Sequence, residues 1–235
     1  MPSIFHSNKV RIQHVAIRVD PSANFLAEAI RLQSVNRVTV EQVAVVGGFV
    51  GVNFACSGAC SGPEPPTNGM VRNSTIFGTT DNGVLLANST DAKVEKNVIA
   101  GAGFGGIQVG FRTANPVTGA RIFQNVVTGT AGDGILLTRG SSGSHVLKNI
   151  VTGSTGDGII VVLKAPGGTS TGNLIENNIS NGNTGFGYSD DTTGGTGTAG
   201  TDNTYIGNEC KANAAGGSSS DGGASATGDL CTPQF

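Results

Sequence analysis

One stretch of this chain occurs twice, at an offset of 24 residues. Residues 122–137 read IFQNVVTGTAGDGILL, and residues 146–161 read VLKNIVTGSTGDGIIV. Self-similarity at a fixed period is the mark of a stacked architecture, in which each unit buries its apolar face on its neighbours. Two anchors recur within the repeat. The first is apolar-x-x-Asn-x-apolar, as in Val94-Asn97-Ile99, Ile122-Asn125-Val127, Val146-Asn149-Val151 and Leu174-Asn177-Ile179. Asn73 and Asn208 are outlying copies, and Glu41 and Gln13 are expected in the same slot further upstream. The second anchor is Gly-apolar-x-apolar, starting at Gly83, Gly106, Gly134 and Gly158, with looser copies at Gly51, Gly185 and Ala29.

The first anchors lie 24 to 32 residues apart. Segments this short, β-branched and alternating read as strands, and the Gly, Thr, Ser and Asn between them suit turns. No helical period separates the strands, which argues against leucine-rich repeats and against βαβ units with their crossover helix. What remains is a coil that climbs one strand spacing per turn, so that equivalent residues stack ~4.8 Å apart. The expected fold is therefore all-β. It is a single-domain parallel β-helix of about eight coils over residues 10–210, with an internal Asn ladder and a Gly/Ser-rich cap over 211–235.

Charged residues make up 13% of the chain and the formal net charge is −2, which gives no reason to expect nucleic acid or an anionic membrane as partner. The apolar stretch 43–54 is too short to span a bilayer, and the first residues do not form a signal peptide. Four cysteines allow three pairings; Cys56–Cys60 and Cys210–Cys231 are expected because each closes a local loop, with four free thiols as the alternative. An exported form lacking its leader would explain disulfides, and a cytosolic protein is the alternative. Nothing before Val10 reads as a cap, so that end is expected to continue into missing residues or to meet a partner.

The stacked pattern resembles the right-handed parallel β-helix proteins of the pectate-lyase-like superfamily, over about Val10 to Cys210. The handedness is implied by that resemblance. So is a chemistry in which Arg or Lys takes the proton α to a uronate carboxylate while calcium or a cation stabilises the charge. Counting five or six residues past each anchor glycine gives Asn88, Arg112, Arg139, Lys164, and Asp190 or Asp191. Arg139 or Lys164 is the candidate base, and Arg112, Asn88 and Gln108 are candidate substrate contacts. Asp190, Asp191 and Asp202 are candidate calcium ligands through oxygen. A solvated ladder of charges is the competing reading. A second column, Asn82, Asp133 and Asp157, suggests paired carboxylates or ordinary Asp-Gly turns.

The outward positions of the Gly-anchored strand, Leu85, Gln108, Leu136 and Ile160, are largely apolar, as are Val98, Val126 and Ile150. Such stripes mark an interface unless something covers them. Two functions follow. One is an extracellular or cell-surface protein that engages polysaccharide, as a uronate lyase or epimerase. The other is a non-catalytic structural, adhesive or assembly module that meets another protein chain or a second copy of itself.

Overall fold

Short β-branched runs broken by turns assemble into three parallel sheets that share one long core. The computed structural model describes residues 3–5, 9–20, 26–55, 67–111, 116–162, 168–220 and 229–233. Sheet 1 carries the Gly-anchored segments in nine strands, from Ser3–Phe5 to Gly216–Ser220. Sheet 2 has eight strands, from Arg11–Gln13 to Thr204–Ile206, and sheet 3 has nine, from Ala16–Arg18 to Thr232–Pro233. The chain visits sheets 1, 2 and 3 in turn and then starts the next coil. The pairing stays in phase: Val84 lies beside Ile107, Ile107 beside Ile135, and Ile135 beside Ile159. Alternate residues of all three sheets point inward and are fully buried, among them Leu137, Val146 and Val151. The single helical turn among the described residues is Thr198–Gly200.

Between sheets 2 and 3 the chain turns a two-residue corner. The first residue is left-handed, with φ of 54° at Lys96, 53° at Gln124, 55° at Lys148 and 52° at Asn177. For a side chain with a Cβ this costs about 1–2 kcal/mol. The second residue offsets that cost with a buried amide that bonds to the neighbouring coils. Asn149 Nδ2 donates to Ile122 O (2.9 Å) and to Asn178 Oδ1 (3.0 Å). Asn149 Oδ1 in turn accepts from the backbone N–H (2.9 Å) and Nδ2 (3.0 Å) of Asn125.

The ladder runs through Asn97, Asn125, Asn149, Asn178 and Asn208, not through Asn177. In that coil Ile175, rather than Leu174, pairs with Val146, which moves the ladder position on by one. Upstream the slot holds Ser74 and Val43. Ser74 N–H donates to Asn97 Oδ1 (3.0 Å), and Ser74 Oγ accepts from Val43 N–H (3.2 Å). Asn73 is the left-handed, exposed corner residue there, with φ 50°. Glu41 faces outward and pairs with Arg11 and with Arg72 (3.1 Å), and Gln13 occupies the same outward register.

The anchor glycine has a different cause. A Cβ on Gly134 would sit 2.5 Å from the carbonyl oxygen of Gly158, and one on Gly158 would sit 2.7 Å from that of Gly187. Coils can stack at strand spacing here only if the position has no side chain.

The C-terminal segment continues the sheets, with Gly216–Ser220 added to sheet 1 and Thr232–Pro233 to sheet 3. Cys210 and Cys231 form the expected disulfide. Cys56 and Cys60 lie outside the described residues.

Two substitutions test this packing. Asn149→Ala leaves the Asn125 amide groups and the Ile122 carbonyl without their partner, and should cost about 3 kcal/mol at ~1–3 per buried unsatisfied group. Gly134→Ala should cost a similar amount, about 1–3 kcal/mol or more, through overpacking. Urea unfolding of each variant beside the parent reads both.

Candidate functional site

Strand register decides which expected site residues meet. The outward column of sheet 1 passes through Leu85, Gln108, Leu136 and Ile160, as the repeat predicts, and continues to Ser189. It is not an open stripe, since Leu85 is only 4% and Leu136 only 6% exposed, with Ile160 half-buried. Gln108 is buried as well, and its Nε2 donates to Gly110 O at 2.8 Å. The apolar column that is open lies on sheet 3, where Val98, Val126 and Ile150 stack in register and are exposed.

The basic column is not assembled among the described residues. Arg112 and Lys164 lie outside them. Arg139 sits half-buried on a turn with φ 55°, and Asn88 is buried. Asp190 belongs to the core, because it pairs with Val161. The column glycine of that coil is Gly187, whose backbone oxygen faces Gly158, and not Gly185. Asp190 is therefore fully buried and not a surface residue.

Asp190 Oδ1 accepts from the Thr192 N–H (2.9 Å) and hydroxyl (2.6 Å). Its Oδ2 accepts from Tyr205 (2.9 Å) and Asn203 Nδ2 (3.1 Å). Asp202 is half-buried, with its backbone N–H on Thr192 Oγ1 (2.9 Å), and Asp191 follows on the outward side of Asp190. The three carboxylates do not fit calcium as a set, since protein donors already occupy both Asp190 oxygens. No group of three or more His, Cys, Asp or Glu among the described residues is placed to hold a metal ion.

The acidic column does form. Asp157 N–H donates to Asp133 Oδ1 (2.9 Å), and Phe186 N–H donates to Asp157 Oδ1 (2.6 Å). Burial pushes both carboxyls above the usual range. At Asp133 the hydrogen bond from Asp157 N–H opposes the shift and the Asp157 charge adds to it. The column thus acts as a side-chain ladder along the turn between sheets 3 and 1.

Upstream, the same positions build a cavity. Hydrogen bonds from Ala29 N–H to Val50 O and from Gly51 N–H to Asn82 O carry this turn register back to Glu28, in the slot that Asp133 and Asp157 fill later. Glu28, Arg31, Asn53 and Asp81 line a cavity of about 310 Å³, with Phe49 and Phe111 also on its wall. Asn53 Nδ2 donates to Glu28 Oε1 at 2.8 Å, and Arg31 Nη1 meets the same oxygen at 3.3 Å. Burial pushes the Asp81 carboxyl up, opposed by hydrogen bonds from Asn82. These residues were within reach of the repeat. Ala29-Ile30-Arg31-Leu32 is a copy of the second anchor, so one step back gives Glu28, and Arg31 takes the outward place of Leu85. Asp81 precedes Asn82 of the acidic column.

This three-sheet coil defines a class. The chain belongs to the family described as right-handed beta helix region, matched over residues 4–166 and 50–228. Comparison with curated proteins finds no match. Among solved structures it is similar to PfbA, a surface adhesin of Streptococcus pneumoniae, at 13% identity and TM-score 0.60, covering 91% of this chain and 62% of that one. It is also similar to the A-module of the Azotobacter vinelandii mannuronan C-5 epimerase AlgE4, at 12% identity and TM-score 0.58, covering 80% and 57%. A third is an alginate lyase from Paenibacillus sp. str. FPU-7, at 13% identity and TM-score 0.53, covering 82% and 72%. The chain spans less than two thirds of the length of the adhesin and of the epimerase module. At such identities the likeness is one of fold, and function has to come from the site.

The acidic column makes a pH prediction. The folded pKa of Asp133 is raised above its unfolded value of about 3.8, so its contribution to stability is full below that pH and is lost as pH rises through the folded pKa. Asn at this position keeps the acceptor for Asp157 N–H and has no charge to bury. Asp133→Asn should therefore gain stability relative to the parent at pH 7–8, by an amount that shrinks toward pH 4. Urea titrations of both proteins across that range measure the difference.

Proposed function

We propose that this is an exported protein that engages polysaccharide on the outer face of sheet 1, at the cavity between Glu28, Arg31, Asn53, Asp81 and Phe111. The observation that carries the reading is the cavity itself, which joins aromatic wall to convergent polar groups, the usual make-up of a small-molecule site. Sugars need both, because a pyranose has an apolar carbon–hydrogen face and a rim of hydroxyls. The mannuronan epimerase and the alginate lyase lend support as β-helix neighbours named for polysaccharide. The Cys210–Cys231 disulfide and the adhesin neighbour support an extracellular or surface location.

A uronate lyase or epimerase activity is the finer version of this reading. It rests on Arg139, on the turn that follows sheet 1, and on Lys164 and Arg112. Arg139 does not line the cavity, so the binding function is the better supported of the two. The test is binding and turnover on alginate, pectate, glycosaminoglycans, glucans and mannans, with and without calcium. At least one should be retained, and Phe111→Ala should weaken it about tenfold, the worth of an aromatic contact of ~1.4 kcal/mol. No binding and no product across the panel would overturn the proposal.

The open sheet 3 column favours a second reading, an assembly module. Val98, Val126 and Ile150 form an exposed apolar line of three consecutive coils. If this face joins copies of the chain, light scattering should give a dimer or larger species, and Val126→Lys should return it to monomer. A monodisperse parent monomer counts against it.

A further inference from the structure

Three buried polar atoms of residues that line this cavity have no hydrogen-bond partner among the described residues: Glu28 Oε2, Arg31 Nε and Asn53 Oδ1. Glu28 Oε1 takes the hydrogen bonds from both Asn53 Nδ2 and Arg31 Nη1, which locks the three side chains together. Asn53 is 6% exposed and the Glu28 side chain 12%, so bulk solvent does not complete them. In folded proteins roughly nine in ten such atoms are satisfied, and a cluster of exceptions in one cavity points to a ligand.

The free atoms state what that ligand offers. A carboxylate oxygen and an amide oxygen accept, while a guanidinium N–H donates. A ligand group must therefore supply at least two donors and one acceptor. A carboxylate group alone cannot, because it is an acceptor only, but the hydroxyls of a sugar unit can, in a uronate as in a neutral sugar. Charge separates the two, since the cavity holds the two carboxylates of Glu28 and Asp81 against the one guanidinium of Arg31, and an added anion would be repelled. Hydroxyls satisfy both demands. The volume, about 310 Å³, lies at the small end of the roughly 300–1,000 Å³ found for small-molecule sites, so it takes a ring-sized group.

We propose that this cavity is a subsite for a neutral, hydroxyl-bearing sugar unit and discriminates against uronates. Its hydroxyls bond to the Glu28, Arg31 and Asn53 side chains, and its carbon–hydrogen face packs on Phe111 or Phe49. This rests on the polysaccharide reading and narrows it, against the uronate class that the basic column suggested.

The experiment is calorimetric titration of the full chain with neutral gluco- and manno-oligosaccharides and, separately, with alginate and pectate oligosaccharides. Neutral sugars should bind more tightly. Glu28→Gln and Asn53→Ala should each lower that affinity at least about tenfold, as expected for a lost hydrogen bond to a charged or buried group. Glu28→Gln removes a negative charge and should also narrow the gap to the uronates. Phe111→Ala, at the exposed rim, serves where an interior variant does not fold, and should likewise weaken neutral sugars. Lys93→Ala, exposed on sheet 2, should change nothing. Tighter binding of uronates through these same residues would overturn the subsite's selectivity while leaving polysaccharide engagement standing. Binding unaffected by every cavity variant would overturn the assignment to this cavity. No binding of either class would sink the polysaccharide reading, and this inference with it.

Discussion

The amide that bonds one coil to the next at the sheet 2–sheet 3 corner is the interaction on which the rest of the structure depends. A left-handed residue with a side chain is strained, and a stack of them needs an opposing force at the same place. The buried Asn ladder supplies it: each amide accepts from one neighbouring coil and donates to another, so the bonds set spacing and register together. Once register is set, every strand position becomes a column. Inward columns pack as core, and the glycine column lets the backbones approach.

Columns also explain where function has room. In the middle of sheet 1 the outward side chains Gln108 and Leu136 are covered and offer little to a ligand. Toward the C-terminal end the core itself turns polar, and Tyr205, Asn203 and Thr192 all spend their donors on Asp190. Near the first coils the column changes to Arg31 and Asn53, with Glu28 and Asp81 alongside, and polar atoms of Glu28, Arg31 and Asn53 are left without a partner among the described residues. An acid whose hydrogen bonds are complete is architecture, whereas one with an oxygen left over beside a cavity is a binding group.

Much of the fold was legible in the sequence, and the misreadings share a cause. Of two adjacent asparagines, Asn177 fits the ladder motif, with Leu174 and Ile179 in its apolar slots, while Asn178 has Ser180 in the second. Of two nearby glycines, Gly185 fits the anchor, with Phe186 and Tyr188, while Gly187 has Asp190 in the last apolar slot. Pattern alone picks the wrong member of each pair. Backbone pairing picks the other, and it moved Asn178 into the ladder and Asp190 into the core. The candidate site was missed for a related reason. Ala29 stands where later coils have glycine, so the coil that supplies Glu28 and Arg31 is the faintest copy of the repeat.

The sequence by itself determined the stacked parallel coil, its glycine spine, its asparagine corners and the alternation of inward and outward residues. These are periodic, and a period is readable along a chain. Only the tertiary structure decided which outward residues are covered and which acids are satisfied. It alone showed that Glu28, Arg31, Asn53 and Asp81, drawn from three coils, enclose one cavity. Those properties belong to neighbours across coils, and a change of one or two residues in the length of a single coil is enough to exchange them.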